Sequence, residues 1–109
     1  MIERTLLIEA FQAAQAAALA ADPGEAQDGG TCNFDTPILT VPGLPAATAK
    51  QCAEAAGITV EPIDWLGKRR FMVYTALNGQ GNRRTAMAEA AARALKAKGL
   101  TAQVYYQMD

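Results

Sequence analysis

Histidine is absent from the 109 residues. The commonest general base at neutral pH and the commonest metal ligand are therefore both missing. Cysteine is scarce: Cys32 and Cys52 are too few for a disulfide framework and have no partner at C-x-x-C spacing. No excess of one charge exists, since 10 basic and 11 acidic residues give a net charge of -1. Nothing in that balance draws the molecule toward nucleic acid or an anionic membrane surface. Long apolar runs are missing too. Residues 2–20 are interrupted by Glu3, Arg4, Glu9, Gln12 and Gln15, which argues against a secretory signal and a membrane-spanning helix. The expected location is the cytoplasm, with reduced thiols. Half the residues are hydrophobic, but alanine supplies much of that share, so the core should be thin.

What is present reads as alternating helices and strands. Leu7, Phe11, Ala14 and Ala18 recur at helical spacing through residues 2–21, and Asp22-Pro23-Gly24 ends that helix. A short strand is expected over 36–41. A helix over 46–56 is opened by Pro45 and closed by Gly57. Residues 58–65 read as a strand that Pro62 places at a sheet edge. Phe71, Val73 and Tyr74 make 69–77 the most strand-like run. Asn82 is the expected N-cap of a helix reaching residue 98, with Glu89 and Arg93 as an i,i+4 pair. Residues 101–108 alternate in the manner of a half-buried strand.

This order predicts an α+β fold in one domain over 1–109: an N-terminal helix (1–22) followed by a ferredoxin-like β-α-β-β-α-β core (36–108). The sheet should be four-stranded and antiparallel, in the order fourth, first, third, second, with two helices on one face. The opposite face would carry Tyr105 and part of Leu39, Val41, Met72 and Tyr74, too apolar to stand bare. The N-terminal helix is the expected cover, and a homodimer is the alternative.

Two polar segments stand out on this background. One is residues 28–35, Asp-Gly-Gly-Thr-Cys-Asn-Phe-Asp; the other is residues 78–84, Asn-Gly-Gln-Gly-Asn-Arg-Arg. With the first and third strands antiparallel neighbours, the start of one lies beside the end of the other, so the two segments should meet. The fourth strand ends there too, adding Gln107 and Asp109. Arg83 and Arg84 also break a local rule, because cations are unfavourable in the first turn of a helix. Glycines ahead of a helix N-terminus admit an anion, and arginines beside it would grip phosphate or carboxylate. Asn33, Asp35, Asn78, Gln80, Arg83 and Arg84 are therefore the expected ligand-binding set. The competing reading is an internal ion-pair cluster of the arginines with Asp28, Asp35 or Asp109.

Other chemistry fits less well. Gly79-x-Gly81 has Arg84 where a dinucleotide fingerprint needs its third glycine, and no parallel βαβ unit surrounds it. Cys32 in its polar loop is a conceivable reactive thiol, but no histidine can activate it. Cys52 reads as core, and Trp65 as a packing residue. No calcium-loop spacing occurs, and no cofactor or metal is implied. The central strands lack the aromatic pattern of RNA-binding sheets.

Residues 28–37, the run Gln80-Gly81-Asn82-Arg83-Arg84-Thr85 and the terminal Tyr105-Tyr106-Gln107-Met108-Asp109 resemble short uncharacterised proteins of prophages and integrative elements. The resemblance covers residues 28–109 and carries no established activity. It implies only that a mobile-element role, such as inhibition of a host defence complex, belongs among the options. The first reading is a non-catalytic module for a small phosphate- or carboxylate-bearing ligand. The second is a protein–protein interaction or inhibitor protein. An enzyme using Cys32 or Asp35 ranks last.

Overall fold

The computed structural model describes residues 2–27, 29–30, 33–63 and 69–108. Along the chain run α1 (Arg4–Ala20), a 3-10 turn (Glu25–Gln27), β1 (Thr36–Thr40), α2 (Ala46–Ala55), β2 (Thr59–Pro62), β3 (Arg70–Tyr74), α3 (Asn82–Ala97) and β4 (Thr101–Tyr105). Three helices pack with a four-stranded antiparallel sheet, so the fold is α+β. The strand order is β2-β3-β1-β4. β2, which carries Pro62, lies at one edge and β4 at the other. Trp65 and the rest of 64–68 fall outside the described residues.

Register fixes which side chains share a face. Leu39 pairs with Phe71 on one side and Ala102 on the other, and Val60 pairs with Val73. These residues join Leu7, Phe11, Ala14, Cys52, Met87 and Leu95 in one buried cluster. Period-2 alternation turns Thr36, Ile38, Met72, Tyr74 and Tyr105 to the opposite face. Of the set Leu39, Val41, Met72 and Tyr74, the second face takes Met72 and Tyr74, while Leu39 and Val41 belong to the helix-side core.

The larger correction concerns α1. Among the described residues, α1 touches α2 and α3, which do not touch each other, and it makes no close approach to any strand. It lies between the other two helices on their side of the sheet, so three helices rather than two occupy that face. Small side chains are the reason. The alanines of α1 (Ala10, Ala14, Ala18) and of α3 (Ala88, Ala91, Ala92) are all buried, and small residues permit close helix approach. Two alanine-rich crossover helices leave a trough that α1 fills with Leu7 and Phe11. Polar ties hold it there: Arg4 Nη2 donates to Gln51 Oε1 at 2.8 Å, and Ala76 N–H donates to Gln15 Oε1 at 2.7 Å.

One cap also differs from expectation. Gly81, not Asn82, is the N-cap of α3, with φ 60° and no side-chain capping bond. Asn82 is the first helical residue.

Phe11 is fully buried. Phe11→Ala should therefore cost about 3–5 kcal/mol, as truncation of a core aromatic does. Urea unfolding measures it; a loss below about 1 kcal/mol would mean α1 is an appended helix rather than part of the core.

Candidate functional site

The two polar segments meet at the N-terminus of α3. Asn33 Nδ2 donates to Gly81 O at 2.9 Å and to Thr85 Oγ1 at 3.2 Å. Asn82 N–H donates to Gly29 O at 3.1 Å. Antiparallel pairing continues past the strand ends, where Asn33 bridges Met108 and Phe34 N–H donates to Gln107 O at 2.7 Å. Cys32, Asp28 and Asp109, all expected near this corner, lie outside the described residues.

Gly81 makes the approach possible. Its φ of 60° lies in the left-handed region, and a Cβ there would collide with the carbonyl of Gly29. That carbonyl occupies the position an anion would take at a helix N-terminus. The glycine thus admits the chain's own backbone.

Five of the six expected ligand-binding residues fall into two clusters, Asn78 with Arg83 and Asn33 with Asp35 and Arg84. In the first, Asp22 takes Arg83 in a fork: Nε to Oδ1 at 2.7 Å and Nη2 to Oδ2 at 3.0 Å. Gly24 N–H adds a bond to Oδ1 at 2.9 Å, and Asn78 Nδ2 adds one to Oδ2 at 3.2 Å. Arg83, with help from Gly24 and Asn78, holds the Asp22 carboxyl far below the usual carboxylate range. In the second cluster, Asp35 is buried. Its Oδ2 accepts from the Thr85 hydroxyl at 2.6 Å and its Oδ1 from Gln107 N–H at 2.9 Å. Arg84 Nε donates to the main-chain oxygen of Asp35 at 3.0 Å, and its Nη2 to Thr36 Oγ1 at 3.3 Å. Gln80 is exposed and has a partner of its own.

Asp22 and Thr85 were not anticipated. Asp22 sat in a helix-ending Asp-Pro-Gly, where the local explanation sufficed. Its bond to Gly24 is that turn, and its second use depends on where α1 docks. An open depression of ≈ 610 Å³ lies beside the second cluster, lined by Asn33, Asp35, Asn82, Thr85, Tyr106 and Gln107 among others. Neither Arg83 nor Arg84 lines it. Among the described residues, no three His, Cys, Asp or Glu side chains gather as a metal site. No helix among them is long and apolar enough to cross a membrane.

A second surface is the helix-free face of the sheet. Tyr74 is 38 % exposed, Tyr105 45 % and Phe34 49 %. Thr36 pairs with Tyr105, and Tyr74 lies two residues beyond Met72, the last β3 residue paired with β1 at that end. Tyr105 and Tyr74 therefore share the face opposite the helices. Ile38 and Met72, paired in register, fill the next row, and Phe34 extends the patch beyond Thr36.

No family model, no curated protein and no solved structure matches the chain.

The Asp22–Arg83 fork has a pH signature. Because the folded-state pKa is depressed, its contribution is complete above the unfolded value of about 3.9 and is lost as pH falls below it. Asp22→Asn should be less stable than the natural chain at neutral pH, and the gap should close in stronger acid. Urea midpoints recorded across the acid range test this; a gap that stays constant would contradict it. Gly81→Ala should destabilise by more than about 1 kcal/mol, whereas a glycine replaced at a compatible φ gains about 0.4–1 kcal/mol, because strain and collision add together here. Equal unfolding midpoints would show that the 29–30 backbone does not press on residue 81.

Proposed function

We propose that this chain is a non-catalytic binding module that acts by contact with another protein through the helix-free face of its sheet. The observation that carries this reading is the exposure of Phe34, Tyr74 and Tyr105 on one face, as a rim around the buried Ile38 and half-buried Met72. Several large exposed aromatic side chains on one face are a feature of interaction sites, where tyrosine is enriched. Among the described elements the three helices pack on the other face, while Thr36 and Ile38 at the centre of this one are buried, so its accessible part is the rim formed by Phe34, Tyr74 and Tyr105. The resemblance to prophage and integrative-element proteins fits an inhibitor or counter-defence role in a host cytoplasm.

The finer fold assignment belongs here too. We take β1-α2-β2-β3-α3-β4 as ferredoxin-like, with α1 added to its helix layer. Support comes from the strand order, in which antiparallel β3 lies between β1 and β2 while β1 lies between β3 and β4.

The small-anion reading at Asn33, Asp35, Asn78, Gln80, Arg83 and Arg84 is second. The proximity of these groups favours it. Against it, an anion at Arg83 would have to displace the Asp22 carboxylate, and one at Arg84 would compete with Asp35 O and Thr36.

One pair of experiments separates the two. Affinity capture from host extract should retain a stoichiometric protein with the natural chain and lose it with the double variant Tyr74→Lys/Tyr105→Lys. A thermal-shift panel of phosphate, nucleotides and organic acids should leave the melting temperature unchanged. A ligand-induced rise that Arg84→Ala abolishes would overturn the interaction reading in favour of the corner.

A further inference from the structure

The two edges of the sheet are built differently. β2 carries Glu61 and Pro62, which are devices that blunt an edge against further pairing. β4 carries none of them. From Thr101 to Met108 the sequence Thr-Ala-Gln-Val-Tyr-Tyr-Gln-Met has no charge, proline or glycine, and among the described strands nothing pairs with its outer side. Tyr106 is 60 % exposed and Met108 73 %. An unprotected edge of this length is a template for another strand.

We infer that β4 pairs antiparallel with β4 of a second copy, joining two sheets into one eight-stranded sheet about a two-fold axis. This stands independently of the partner reading above. Gln107 directs its carbonyl toward β1, where it accepts from Phe34 N–H. Antiparallel alternation then turns the N–H and C=O of Ala102, Val104 and Tyr106 outward. A two-fold at Val104 lets the two Val104 residues exchange bonds and sets each Tyr106 opposite the other copy's Ala102. The large exposed half of the strand thus meets the small half, twice.

The groove along this edge adds charge complementarity. It has a volume of ≈ 360 Å³ and is lined on the helix side by Glu89, Arg93 and Lys96. Glu89 sits at the Tyr106 end, accepting the Tyr106 hydroxyl at 2.6 Å. Lys96 sits at the opposite end, one turn before β4 begins. An antiparallel copy reverses that order, brings Glu89 of one chain toward Lys96 of the other, and sets the two Arg93 residues nearest the axis, each one helical turn from its own Glu89. Isologous pairing of this kind closes at two copies. It also sets the two Tyr105-bearing faces side by side on one surface.

Sedimentation equilibrium of the full chain, from micromolar to submillimolar, is the test. The natural chain should approach twice the chain mass. Val104→Pro removes an outward N–H that serves no bond within the sheet, and it should sediment as a monomer with unchanged far-UV circular dichroism. Lys96→Glu should weaken association about tenfold or more, and adding Glu89→Lys should restore it, as expected for like charges and their reversal at an interface. Amides of Ala102, Val104 and Tyr106 should gain hydrogen-exchange protection as concentration rises. If Val104→Pro fails to fold, the charge-reversal series decides. A natural chain that stays monomeric, a dimer indifferent to both Val104→Pro and Lys96→Glu, or open-ended growth beyond two copies would overturn the inference.

Discussion

The docking of α1 between α2 and α3 sets what the rest of the molecule can do. Phe11 and Leu7 complete the core from the helix side. The C-terminal end of α1 then delivers Asp22 to Arg83 at the first turn of α3. In the same step, the helix expected to shelter the second face of the sheet is committed to the first. One packing choice thus supplies the partner of Arg83 and, among the described elements, leaves no helix on the face that carries Phe34, Tyr74 and Tyr105.

The polar corner shows how a local rule is broken without a ligand. Two arginines in the first turn of a helix work against the helix dipole. Here Asp22 forks onto Arg83, the Asp35 carbonyl receives Arg84, and the Gly29 carbonyl meets the Asn82 N–H. Each positive group has found a negative partner in the chain itself. Asp35, though nearly buried, has both oxygens bonded, which is what a buried carboxylate requires. The result is a tie between the segment entering β1, the segment leaving β4 and the start of α3.

Much of this was legible in the sequence because it follows from periodicity and punctuation. The apolar positions of α1 and the Pro45 and Gly57 limits of α2 came from local patterns. The meeting of Asn33 with Gly81 came from strand order, since antiparallel neighbours bring one strand's start to the other's end. What was not legible depends on three-dimensional choice. Nothing in the spacing of Leu7, Phe11 and Ala14 says which side of a sheet that stripe will find. The Asp22–Arg83 pair joins residues 61 positions apart, and Asp22 already had a sufficient local role in its turn. The phase of β1 was not legible, because a strand of mostly buried residues offers no polar face to mark which of Ile38 and Leu39 turns toward the helices. Asn82 looked like a cap by residue type, but the positive φ and the close backbone contact belong to Gly81.

The central claim is that α1 and the open face lie on opposite sides of the sheet, and a soluble paramagnetic relaxation probe tests it directly by NMR. The ring signals of Phe34, Tyr74 and Tyr105 should broaden together, while those of Phe11 and Phe71 remain sharp. Shielded Tyr74 and Tyr105 rings alongside a broadened Phe11 would place α1 on the other face and contradict it.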